Sequence, residues 1–277
     1  MVIFALKSTD MKLSEWIRHR EITGKPCFSF SDVAKVFAEQ TEQILLNSLS
    51  RYVKKKRIAL VSRRFYCIIP PQYALTGIVP PSYYVNQLMT YLGKPYYVCL
   101  LSAATFWGAA HQRPQQFSVM TTYPRYSRSS ARNNLLLWFY RTEIPETFLL
   151  YKNTETSSVK YSNAELTALD LIQFEQHIGG LSRASTVLSE LLDYTDFNGA
   201  HKELFKFTTI ATVQRLGYIV DNIIEDKEQA DVIFNELLQF NNNFRYCWLS
   251  TRHAKSKTAA DSKWKVYINA QIEPDEL

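Results

Sequence analysis

From Gln43 to Thr142 the chain contains no aspartate and no glutamate. All 26 acids lie outside that window, whereas 13 of the 32 bases lie inside it: Arg51, Lys54, Lys55, Lys56, Arg57, Arg63, Arg64, Lys94, Arg113, Arg125, Arg128, Arg132 and Arg141. The formal charge of +6 is therefore a strongly positive block set against a mildly negative remainder. Charge of one sign, segregated in sequence and gathered on one surface, predicts a polyanion partner. The bland alternative is a solvated surface that happens to lack acids. Seven of the 13 bases crowd between Arg51 and Arg64, where a motif surrounds them, and this favours the partner.

Other scarcities narrow the class. Only 8 glycines argue against a glycine-rich nucleotide-binding architecture, and no G-x-x-x-x-G-K or G-x-S-x-G occurs. The 4 cysteines, Cys27, Cys67, Cys99 and Cys247, are far apart and form no C-x-x-C, so they read as buried thiols of a reducing compartment. No apolar run approaches the roughly 18 to 20 residues that span a bilayer. The first residues, MVIFALKSTD, lack the basic region and small-residue cleavage site of a signal peptide. The expectation is a cytoplasmic protein with no membrane contact. The 5 histidines, His19, His111, His177, His201 and His253, show no metal-ligand spacing. No cofactor and no metal are expected.

What is present suits a folded chain of about two domains. The content is 46% hydrophobic and 21% charged, and 17 tyrosines supply half-polar rings suited to interfaces. The predicted class is α+β, with a winged helix-turn-helix over 1–80 followed by a larger mixed α/β domain over 81–277.

The N-terminal prediction is built residue by residue. Leu13, Trp16 and Ile17 recur at helical spacing, and Cys27–Phe30 reads as a minimal strand. Ser31 is expected to cap a short second helix over Val33, Val36 and Phe37, and Thr41 to cap a third from Glu42 to about Lys56. At about 100° per residue, Leu45, Leu46, Leu49, Tyr52 and Val53 of that third helix share one arc. Gln43, Asn47, Ser50, Arg51 and Lys54 share the other. Amides pair bidentately with adenine and Arg with guanine, while Ser and Lys hold phosphate oxygens. Two strands, Ile58–Ser62 and Arg64–Ile69, then flank a tight turn at Ser62–Arg63, with Lys55, Arg57, Arg63 and Arg64 placed for the DNA backbone. Arg63–Arg64 stand where such hairpins often have glycine. The proline-rich stretch PQYALTGIVPPS reads as a spacer between domains.

Beyond the spacer, helices are expected at Tyr83–Leu92, Leu100–Ala110, Asn163–His177, Leu181–Thr195, Ala200–Leu216, Tyr218–Ile224 and Gln229–Phe240. Strands are expected at Phe117–Thr122, Leu135–Tyr140, Phe148–Lys152, Val159–Tyr161, Tyr246–Leu249 and Lys265–Asn269. In TTYPRYSRSSAR, Tyr123, Arg125, Tyr126, Arg128 and Arg132 interleave rings and guanidinium groups, which suits phosphate contact and base stacking. A flexible basic loop without a ligand is the even alternative. Asp170, Glu165 and Glu175 fall on or near one helix; as metal ligands they would make a nuclease, but solvated or dipole-compensating acids are the commoner case.

The second domain also carries a resemblance. Tyr96–Tyr97, then Leu101-Ser102-Ala103-Ala104, Trp107-Gly108 and Phe117-Ser118-Val119-Met120 resemble the opening of the AbiEi antitoxin domain. The segment from Ser162 to Ile172 is similar to that family's acid-then-Leu-Asp-Leu helix, Arg215-Leu216-Gly217-Tyr218 to its RLGY segment, and Trp264 to Asn269 to its closing strand. The family's His-Gly-Leu corner is Trp107-Gly108-Ala109 here. The resemblance implies a non-enzymatic antitoxin of a type IV toxin–antitoxin system of the abortive-infection type. Such a protein represses its own operon by binding duplex DNA as a monomer or weak dimer. It counters a nucleotidyltransferase-like toxin without needing a stable complex. The competing readings are a metal-dependent, winged-helix nucleic-acid-processing enzyme and a ligand-sensing winged-helix regulator.

Overall fold

The computed structural model describes residues 11–110, 114–125, 135–199, 201–254 and 259–273, and the architecture is mixed α+β. Two compact units emerge: Met1–Tyr96 with Thr122–Leu137 and Tyr151–Val159, and Tyr97–Thr121 with Trp138–Leu150 and Lys160–Leu277.

The first unit runs α1 (Leu13–Ile22), β1 (Cys27–Ser29), α2 (Phe30–Val36), α3 (Glu42–Lys54), β2 (Ile58–Ser62), β3 (Phe65–Ile68) and α4 (Val85–Leu92). Its three strands are antiparallel in the order β1-β3-β2, with Cys27 opposite Cys67 and Ile58 opposite Ile68. The core is aromatic at its centre. Trp16 meets Phe28 edge-on at 5.0 Å and Phe28 stacks on Tyr66 at 5.5 Å, while Leu45 and Leu49 fill in from α3.

Capping chemistry sets the helix starts. Ser29, not Ser31, caps α2: its Oγ accepts from the Asp32 amide at 3.1 Å, and the Asp32 carboxylate accepts from the Ser29 amide at 2.7 Å. This reciprocal pairing needs the acid three residues on, which Ser29 has and Ser31 lacks. Thr41 caps α3 as expected, accepting from the Ile44 amide at 3.4 Å.

The second unit is mainly helical. Five further strands are β4 (Tyr96–Val98), β5 (Phe117–Thr122), β6 (Leu136–Arg141), β7 (Leu149–Asn153) and β8 (Ser158–Ser162). They join in the order β6-β5-β4-β8-β7, and β4 runs parallel to β8. The helices are α5 (Leu100–Trp107), α6 (Ala164–Gln173), α7 (Leu181–Leu191), α8 (His201–Leu204), α9 (Ile210–Asn222) and α10 (Lys227–Phe240). A small sheet of β9 (Cys247–Trp248), β10 (Ala260–Asp261) and β11 (Val266–Tyr267) closes it in the order β10-β11-β9.

The start of α9 departs furthest from expectation. The run expected at Ala200–Leu216 is broken before Ile210, where Thr209 caps α9 by accepting from the Thr212 amide at 3.1 Å. The helix then continues through Gly217 to Asn222. Gly217 is a packing residue and not a break: a Cβ at that position would overlap the Trp264 ring. The strand Ala260–Asp261, not among the expected strands, pairs antiparallel with Val266–Tyr267 a few residues on.

Candidate nucleic-acid interface

The outer face of α3 has the composition its periodicity predicts. Gln43, Asn47, Ser50, Arg51 and Lys54 are all exposed, while Leu45 and Leu49 are buried at 2% and 0%. The two amides are not independent, since Gln43 Nε2 donates to Asn47 Oδ1 at 3.1 Å. Lys55, Arg57 and Arg63 are exposed too. Lys56 is engaged locally, its ammonium donating to the Leu75 carbonyl at 3.0 Å.

The hairpin tip shows how the chain manages without glycine. Ser62 pairs with Phe65, leaving Arg63 and Arg64 as the connection, and Arg64 takes φ = 58°, in the left-handed region. That conformation costs a non-glycine residue about 1 kcal/mol. Arg64 is held there by an ion pair to Glu42 at the start of α3 and by its guanidinium lying 5.0 Å over the Phe30 ring. On the other side of the tip, Tyr91 of α4 donates its hydroxyl to the Arg63 carbonyl at 3.2 Å and stacks on Phe65. The hairpin is thus tied to both α3 and α4. Arg64 neutralises Glu42, the acid at the first residue of α3, and Arg63 beside it is exposed.

Not every base of the acid-free window serves a surface. Arg141 has a side chain only 9% exposed and donates through Nη2 to Asp170 Oδ1 at 2.6 Å. Lys94 donates to the main-chain carbonyls of Thr122 and Pro124. Burial of Arg141 is invisible in a charge count, because its counter-ion lies 29 residues away. Of the Tyr/Arg loop, Tyr123 is 51% exposed, and Arg125 ends the described stretch. Tyr126, Arg128 and Arg132 lie outside the described residues, as do His111 and Arg113.

The acids considered as metal ligands are occupied otherwise. Asp170 is wholly buried and accepts from the Tyr97 hydroxyl at 2.8 Å as well as from Arg141, both partners donating to a carboxylate. Burial pushes the Asp170 carboxyl above its ordinary value against the pull of Arg141, and pushes the Tyr97 hydroxyl up further. Glu165 accepts from the Asp196 amide at 2.7 Å, and Glu175 is buried near Thr251. Among the described residues no group of three or more His, Cys, Asp or Glu comes together to hold a metal. The solvated reading of Asp170 is corrected along with this. Its neighbours Leu169 and Leu171 signal burial in sequence, but its partner cannot be read there.

The remaining family-like residues have structural places. Ser102 Oγ accepts from the Ser118 amide at 2.9 Å, joining α5 to β5. Gly108 ends α5 with φ = 83°, and Trp107 donates from Nε1 to the Ser162 carbonyl at 3.2 Å. Gln214 donates to the Trp264 carbonyl at 2.7 Å, and Asp221 accepts from Trp264 Nε1 at 2.9 Å and from Lys227 and Lys263. Cys27, Cys67 and Cys99 are buried free thiols, whereas Cys247 is partly exposed on its two-residue strand. Among the described residues no helix is long and apolar enough to cross a membrane.

No curated protein matches the chain. Its fold is similar to that of the RV2827C protein from Mycobacterium tuberculosis, whose crystal structure superposes with a TM-score of 0.68 at 9% identity. That likeness covers 91% of this chain and 89% of the other. Residues 96–222 match the family model of the AbiEi antitoxin C-terminal domain, the same stretch that holds the Ser102, Gly108, Asp170 and Gly217 contacts.

Proposed function

We propose that this antitoxin of a toxin–antitoxin system represses its own operon through the first unit, residues 11–70 acting as a winged helix-turn-helix with α3 in the major groove of duplex DNA. The observation that carries the reading is the outer face of α3: Gln43, Asn47, Ser50, Arg51 and Lys54 are exposed together, and Glu42, the acid beside them, is paired with Arg64. The order helix, strand, two helices and a hairpin, with strands arranged β1-β3-β2, supports it. In that docking Lys55, Arg57 and Arg63 meet phosphates, and the protein binds as a monomer or weak dimer. The AbiEi domain counters a nucleotidyltransferase-like toxin in the cytoplasm, non-enzymatically and without a stable complex. Tyr123 and Arg125, with Tyr126, Arg128 and Arg132, form its candidate surface.

Point substitutions in the full chain test both halves. Truncation near Pro81 would remove Tyr73 and the Gln72 amide that donates to the Tyr83 hydroxyl at 2.9 Å within the first unit. Asn47→Ala or Arg51→Ala should weaken operator binding by about 1–3 kcal/mol and derepress the promoter while rescue from the toxin persists. Arg125, Arg128 and Arg132 changed together to Ala should impair rescue and leave the fold intact. Unaltered operator binding in the first pair, or full rescue in the triple variant, refutes the corresponding half.

A further inference from the structure

One side chain on the α3 face does not belong to a phosphate-binding surface. Ile44 is 51% exposed and lies outside the buried core of the first unit. At about 100° per residue it falls on the arc of Asn47 and Arg51, away from the Leu45 and Leu49 stripe. It sits in the first turn, three residues after the Thr41 cap. In helix-turn-helix docking the N-terminal residues of the inserted helix are those that reach base edges. A branched apolar group exposed there has a chemical counterpart on the floor of the major groove, the 5-methyl group of thymine.

The neighbouring amides have a matching bias. Gln43 donates to Asn47 Oδ1 at 3.1 Å, which fixes which end of the Asn47 amide faces the start of the helix. The Asn47 oxygen keeps a second lone pair and its nitrogen keeps both hydrogens. An adenine offers N6–H to that oxygen and N7 to that nitrogen, so the pre-oriented amide matches it bidentately.

We propose that the first two turns of α3 read an A·T step: Asn47, positioned by Gln43, pairs with an adenine, and Ile44 packs on the methyl group of an adjacent thymine. This rests on the reading of α3 as the DNA-contacting helix and adds the base class it selects.

The test uses the full chain and a duplex selected by it from a randomised library. Single thymines are replaced by deoxyuridine, which lacks the methyl group, and single adenines by 7-deazaadenine, which lacks N7. Binding is followed by fluorescence anisotropy. One deoxyuridine should weaken wild type about four-fold, the worth of one buried methyl, and should cost Ile44→Ala nothing. One 7-deazaadenine should weaken wild type but not Asn47→Ala, and Gln43→Ala should blunt that discrimination while leaving thermal stability unchanged. Deoxyuridine tolerated everywhere, or equally costly to Ile44→Ala, overturns the methyl contact. An unchanged 7-deazaadenine penalty in Asn47→Ala overturns the adenine pairing, and one unchanged in Gln43→Ala overturns the positioning role. If no duplex is enriched over random sequence, the DNA-contacting role of α3 falls as well, an outcome distinct from both.

Discussion

Arg64, at the tip of the hairpin, is ion-paired to Glu42, at the first turn of the helix proposed to enter DNA. Both side chains are about half exposed, so the pair contributes at most about 1 kcal/mol to stability. Its larger consequence is electrostatic, because Glu42 is the acid at the N-terminal end of that helix. Arg63→Ala should reduce the salt dependence of DNA binding by about 0.9 in log–log slope, as loss of one phosphate contact requires. Glu42→Gln should raise non-specific affinity. Titrations across salt concentrations check both, and a slope unchanged by Arg63→Ala would place the hairpin away from DNA.

Gly217 should not tolerate a side chain. A methyl there meets the fully buried Trp264 ring, which is also held by Asp221, so the ring cannot yield cheaply. Gly217→Ala should destabilise the protein by about 1–3 kcal/mol, the usual cost of overpacking. Adding Trp264→Leu should recover part of the loss caused by the glycine substitution in urea unfolding; strict additivity of the two would refute the contact.

Asp170 and Arg141 should be far more costly to separate than to replace together. Asp170→Asn leaves the buried guanidinium uncompensated and should cost about 3–5 kcal/mol. Asp170→Leu with Arg141→Met should cost markedly less than either Asp170→Leu or Arg141→Met alone. A double-mutant cycle by chemical denaturation measures the difference, and additive losses would count against the pair.

Acid sensitivity should be traceable to Asp221. Burial alone would raise its carboxyl, but hydrogen bonds from Lys227, Lys263 and Trp264 prevail and hold it at about 2. A folded-state value below the unfolded one means that this stability is fully present above the ordinary carboxylate range and is lost as pH falls toward about 2. Asp221→Asn should therefore be less stable than wild type at neutral pH and show a shallower decline between about pH 4 and pH 2. Parallel curves for the two proteins in melts across that range would exclude the mechanism.

The α3 face was legible in the sequence because a helix repeats every 3.6 residues, so Leu45 and Leu49 necessarily oppose Gln43, Asn47 and Arg51 once the segment is helical. Thr41 was legible for a similar reason, since capping is settled within three residues. The family-like segments around Ser102 and Gly217 could be placed in order along the chain, and residues 96–222 match the AbiEi domain. Tertiary structure alone decided what depends on distant partners. Arg141 counted as surface charge until Asp170 was seen to bury it, Gly217 looked like a break until Trp264 filled its empty side, and the ion pair of Arg64 with Glu42 joins residues 22 apart in the chain. Local periodicity governs which way a residue points; only the folded chain determines what it meets there.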